Sequence, residues 1–149
     1  MATAPLRLRR KEGRLIAYPV KASTRIYEGD FVVLDSGASP LTASTPSGAV
    51  YVGIAAESVD NSAGAFGAEQ VLVWCSGVFE VPHNSGSAPT LGAEVHVDYE
   101  TSTQQVRLAA PAGSGKRVLK AGRCVKTGTS VSQVRIDGHA LRETVSVNS

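Results

Sequence analysis

The stretch Gln70-Val71-Leu72-Val73-Trp74-Cys75-Ser76-Gly77-Val78-Phe79-Glu80-Val81 holds two short, Val-rich runs, residues 70–75 and 78–81. Neither has the i, i+3, i+4 apolar spacing of a helix; the first is almost wholly apolar and the second alternates, as strands do. Outward from them the same pattern recurs at residues 15–20, 31–35, 50–56, 94–100, 104–108, 117–125 and 131–136. Gly, Ser, Pro, Asn and Thr fill the gaps, at residues 36–40, 44–48, 60–64, 83–92 and 111–115, and these are the residues that turns require. No segment offers an amphipathic helix of three turns, and no repeat of solenoid or propeller period is present. The expected fold is all-β: a small antiparallel β-sandwich or barrel.

A chain of 149 residues fits one domain, or one domain with an arm. Its net charge of +2 conceals three blocks: residues 1–25 carry +6, residues 26–106 carry −10 with no Lys or Arg, and residues 107–149 carry +6. With 42% apolar and 19% charged residues the chain is not a disordered polar tract. No apolar run approaches the roughly 20 residues of a membrane helix, and the first sixteen residues do not read as a signal peptide. The reading is a cytosolically made, soluble domain.

Residues 1–14 read as an extended basic N-terminal arm and residues 15–149 as one β-rich body. Leu6, Arg7, Leu8 and Arg9 alternate, which on an extended strand puts leucines on one face and arginines on the other. Arg10, Lys11 and Arg14 continue the basic character. The arm reads two ways: as a solvated terminus, or as a strand that orders on the sheet edge of a partner.

Catalytic signals are weak. Phe31-Val32-Val33-Leu34-Asp35-Ser36-Gly37 resembles the active-site loop of retropepsin-like aspartic proteases, in which two chains each supply one Asp. The alternative is that Asp35, Ser36 and Gly37 close a hairpin, with Gly37 at positive φ. The second apolar-apolar-Gly segment of such a protease is poorly met by Leu119-Lys120-Ala121-Gly122. Gly113-Ser114-Gly115-Lys116 lacks the flanking residues and helix of a phosphate loop. His83, His96 and His139 are far apart in sequence, so no metal or other cofactor is expected. Nucleic-acid binding is disfavoured by 5% aromatic residues and the acidic middle block. Cys75 reads as a buried apolar residue. Cys124, between Arg123 and Lys126, reads as a candidate for an inter-subunit disulfide if exposed.

The order of short motifs carries a family resemblance. Ile26-Tyr27-Glu28-Gly29-Asp30-Phe31-Val32-Val33-Leu34-Asp35-Ser36-Gly37 is followed by Val52-Gly53-Ile54-Ala55-Ala56, Val59-Asp60-Asn61, Val71-Leu72-Val73 and Ser76-Gly77-Val78-Phe79. Leu91-Gly92-Ala93-Glu94-Val95, Ala121-Gly122-Arg123-Cys124-Val125 and Val134-Arg135-Ile136-Asp137-Gly138 come next. This resembles the capsid cement, or head decoration, proteins of tailed bacteriophages over roughly residues 15–140. The resemblance implies a non-enzymatic virion protein on the outside of the matured head, binding the major capsid protein and its own copies as a homotrimer. Nucleic acid and membrane are not implied partners. Asp35-Ser36-Gly37 and Asp60-Asn61 then become structural turns, and the arm residues Leu6, Arg7, Leu8, Arg9, Arg10, Lys11 and Arg14 become capsid-binding candidates. A tail component or other virion interaction module is the remaining alternative. On this reading the basic ends are attachment surfaces and the acidic middle is the body, and docking is expected to weaken with salt.

Overall fold

The computed structural model of the chain describes residues 4–5, 10–137 and 143–149, and of residues 10–13 the backbone alone. The strands are β1 (Arg10–Pro19), β2 (Thr24–Ile26), β3 (Phe31–Leu34), β4 (Ala38–Pro40), β5 (Val50–Ala55), β6 (Val59–Asn61) and β7 (Gln70–Pro82). They continue as β8 (Glu94–Asp98), β9 (Gln105–Arg107), β10 (Arg117–Val118), β11 (Lys120–Thr127), β12 (Val131–Asp137) and β13 (Ser146–Val147). Among the described residues the only helical element is a 3-10 turn at Ser85–Ser87, capped by the Asn84 side chain. No helix there is long and apolar enough to cross a membrane. The fold is all-β.

One nine-stranded sheet runs β4-β3-β5-β7-β12-β11-β8-β9, with β1 also paired to β7; β2–β6 and β10–β13 form two small ribbons. All strand pairs are antiparallel. The spine is β7. It pairs with β5 at Val73 and Trp74, with β12 from Ser76 to Pro82, and with β1 from Gln70 to Phe79. The two runs of the opening stretch are therefore a single 13-residue strand. Ser76-Gly77 does not interrupt it, because Gly77 adopts φ 139° and keeps its pairing to both Gly13 and Ile136.

Side chains alternate along β7, with Val71, Val73, Cys75, Phe79 and Val81 fully buried. The first three join Val20, Ile26, Val32 and Val52 in a small core. Phe79 and Val81 join Phe31, Val33, Tyr51 and Ile54 in a larger one. The middle of the sheet thus divides two cores: Val32 points into one, and its neighbours Phe31 and Val33 point into the other. Each fully buried aromatic or aliphatic side chain contributes roughly 1.5–3 kcal/mol. Close strand packing needs glycine at one point. Gly53 has φ 145°, and a Cβ there would stand 2.0 Å from the Trp74 carbonyl oxygen.

Four strands fall where the sequence offers no periodic run: β2, β4, β6 and β13, each of two or three residues. Ala38–Pro40 reads as turn-forming, yet all three residues are buried in β4. Such short pieces are fixed by their partners, not by a local pattern.

Candidate docking surface

In β1 and β7 the register brings apolar side chains onto the outer face. Leu15 lies opposite Trp74 and Ala17 opposite Leu72, while Pro19 lies opposite Gln70. Arg14 and Leu15 are registered with Ser76 and Trp74, two residues apart on one face of β7, so a bulge places both on this side. Leu15 is 41% and Leu72 is 37% exposed. The opposite face of the same ribbon is filled: Ile16 and Tyr18 pack on the small core. Burial pushes the Tyr18 phenol up to about 12, helped by its contact with the Cys75 thiol.

Past Pro19 a structured loop presents Phe66, 59% exposed. Asn61 Nδ2 donates to the carbonyls of Lys21 and Ala65, 3.0 Å each, and Gly64 N donates to the Asn61 carbonyl. Asp60 accepts from Ser62 N at 3.0 Å and pairs with Arg25. The Arg25 guanidinium and Ser62 hold its carboxyl well below the usual range. Asp60 and Asn61 are the last two residues of β6, and their side chains organise the loop that follows.

Asp35, Ser36 and Gly37 connect β3 to β4, with Leu34 opposite Ala38. Ser36 has φ 54° and Gly37 φ 120°, and Asp35 N donates to the Gly37 carbonyl. The Asp35 carboxylate is held by Lys21 Nζ at 2.7 Å. A Cβ on Gly37 would stand 2.7 Å from the Lys21 backbone and 3.0 Å from the Phe66 ring, so this turn, Lys21 and the Phe66 loop are packed together.

Of the arm residues, Leu6, Arg7, Leu8 and Arg9 lie outside the described residues. Arg10 and Lys11 contribute backbone to β1, and Arg14 is exposed on it. The last five residues read as arm therefore form the first half of a strand paired to β7 of the same chain. Among the described residues β1 pairs with β7 alone, so its other edge is open from Arg10 to Pro19. Only beyond it does Val20 bridge to Ala38.

The charge blocks do not persist as blocks in space. Ion pairs join Lys21 to Asp35, Arg25 to Asp60, Lys116 to Glu100, and both Lys120 and Arg123 to Glu94. Each links a cation from an end block to an acid of the middle block. The last two flank a cleft of about 320 Å³ also lined by Arg135, Asp137 and Glu143, a mixed-charge wall with no single ligand sign. Among the described residues no three His, Cys, Asp or Glu side chains are placed to hold a metal ion. His96 is half-buried beside the Leu108 carbonyl, while Asp98, two residues on in the same strand, is 2% exposed and accepts from Asn84. Cys124 is 1% exposed against Thr127, so the exposure that a disulfide between copies needs is missing in the single chain.

A family described as phage cement protein matches residues 11–137. The chain belongs to the phage cement protein family. Membership gives it a structural role in a phage virion, and the matched span covers the nine-stranded sheet except Arg10, the first residue of β1. No curated protein and no solved structure matches the chain.

The outer face of β1 and β7 is the part of this surface that strand reading passes over. Its signal is present in Gln70-Val71-Leu72-Val73-Trp74-Cys75: a run that is apolar on both faces belongs to a strand covered on both sides. One cover is the small core; on the other face Trp74 packs on the larger core, while Leu72 stays partly exposed.

Proposed function

We propose that this cement-family chain binds the outer surface of a phage head and ties neighbouring capsomers together, stabilising the matured shell. The observation that supports this reading is the family match over residues 11–137. The partners are the major capsid protein and further copies of the chain, grouped as a trimer, so that several modest contacts act together and release slowly. The N-terminal residues supply part of the grip: Leu6 and Leu8 enter an apolar site on the shell, and Arg7, Arg9, Arg10, Lys11 and Arg14 face acidic capsid surface. No nucleic acid or membrane takes part.

Because β1 begins at Arg10, removing residues 1–9 leaves every described strand intact. Full-length and shortened chains are mixed with undecorated heads and pelleted. Stoichiometric binding by the full chain and weakened binding by the shortened one are expected. Undiminished binding without residues 1–9 contradicts the role of the arm, and co-purification with tails instead of heads would favour the tail-component reading.

A further inference from the structure

Ahead of β1 the chain touches its own body at Pro5. This residue forms one wall of a groove of about 150 Å³, and the β2–β6 ribbon supplies the rest through Arg25, Ile26, Tyr27, Ser58, Val59 and Asp60. Ile26 is registered with Val59; the first is fully buried and the second packs on the small core, so this part of the groove is anchored. The polar rim is engaged within the ribbon. Arg25 pairs with Asp60, its Nη1 donates to the Tyr27 hydroxyl at 3.2 Å, and its guanidinium lies 5.6 Å from the Tyr27 ring centre. The Ser58 hydroxyl accepts from Glu28 N at 2.8 Å. What the groove leaves for an occupant is apolar contact. Proline suits such a wall, since it brings no N–H that would need an acceptor. Ala4 and Pro5 are themselves exposed, so the contact is shallow.

We propose that the β2–β6 ribbon is a parking seat for the N-terminal arm: in the free chain Pro5 rests against it, and docking on the head draws the arm away. Reach gives the device its effect. Five residue steps separate Pro5 from Arg10, the start of β1, and they span at most about 18 Å. With Pro5 seated, no point between the two lies more than about 9 Å from the nearer end. Released, the nine residues ahead of Arg10 extend up to about 32 Å from it, and meet shell surface beyond the footprint of the body. The shallowness of the seat is what lets it yield: one small apolar contact gives way to the several contacts of a docked arm. The inference rests on the arm's role proposed above and adds to it the arm's position in the free chain.

The test uses the full chain carrying Pro5→Cys and Ser58→Cys, both at exposed positions, joined by a short reducible bis-maleimide; the native Cys75 and Cys124 are buried. Peptide mass spectrometry of the free double variant is expected to show the intramolecular product, and the single variants to give none. The locked chain is expected to bind undecorated heads no better than the chain lacking residues 1–9, and to recover full binding once the linker is reduced. Absence of the intramolecular product would overturn the seat. A locked chain that binds heads as the unaltered chain does would overturn the release. If the product forms while the chain lacking residues 1–9 already binds undiminished, the seat stands and the arm reading above is what fails.

Discussion

Asp30 gives the sharpest test of the packing. Its side chain is 2% exposed; one carboxyl oxygen accepts from Tyr27 N at 2.9 Å, and the other has no partner. Burial pushes the carboxyl up from 3.8 to about 7, against the opposing pull of the Tyr27 amide. A group whose folded value is raised keeps its proton in the native state while the unfolded chain has lost it. Stability therefore falls as pH rises from about 4 to about 7 and levels off above, where both states are ionised. Moving the folded value from 3.8 to about 7 corresponds to about 4 kcal/mol at most. Asp30→Asn keeps an oxygen for the Tyr27 amide but cannot ionise. Urea unfolding followed by the fluorescence of Trp74, the sole tryptophan, should show the variant gaining on the unaltered chain by up to about 4 kcal/mol between pH 4 and pH 8. Asp60, whose carboxyl is lowered, loses its contribution below pH 4, outside this window. A constant difference between the two proteins across the range would refute the reasoning.

Three further outcomes follow from the geometry. Gly53→Ala forces a Cβ against the Trp74 carbonyl at φ 145° and should cost about 3 kcal/mol or more; thermal unfolding within a few degrees of the unaltered chain would contradict it. Gly37→Ala should likewise destabilise strongly, since its Cβ meets the Lys21 backbone, whereas Asp35→Asn removes a partly exposed ion pair and should cost under about 1 kcal/mol; both are read by denaturant titration, and equal effects would contradict the turn geometry. Tyr51→Phe removes the buried hydroxyl that donates to the Ala121 carbonyl at 3.0 Å and should cost about 1–3 kcal/mol, measured the same way, with no loss contradicting the bond.

Much of the fold is legible because β3, β5, β7, β8 and β12 carry their own periodicity. Val71, Val73, Phe79 and Val81 are buried in alternation, as their spacing requires. What stays hidden is decided by partners. Ala38-Ser39-Pro40 looks like a loop until Val32, Val33 and Leu34 are seen beside it, and Ser76-Gly77 looks like a break until β1 and β12 hold it on both edges. The +6, −10, +6 segregation misleads in a similar way. Lys21, Arg25, Lys116, Lys120 and Arg123 fold back onto acids of the middle block, so sequence blocks do not become surface patches, and any salt-sensitive docking rests on fewer cations than the sequence count implies. Cys124, read from its basic neighbours as a possible reactive thiol, is buried because its strand position faces the larger core. The surface is half legible: the apolar run at residues 70–75 announces two covered faces, and Trp74 meets the larger core on the second while Leu72 stays partly exposed.

The central claim is that the chain coats the outside of a phage head. Electron cryomicroscopy of undecorated heads, with and without added protein, tests it most directly. The account predicts additional β-rich density at repeated positions spanning neighbouring capsomers on the outer surface, with heads that withstand a higher temperature before releasing their contents. Heads that remain bare at saturating protein, or density confined to the interior or the tail, would contradict it.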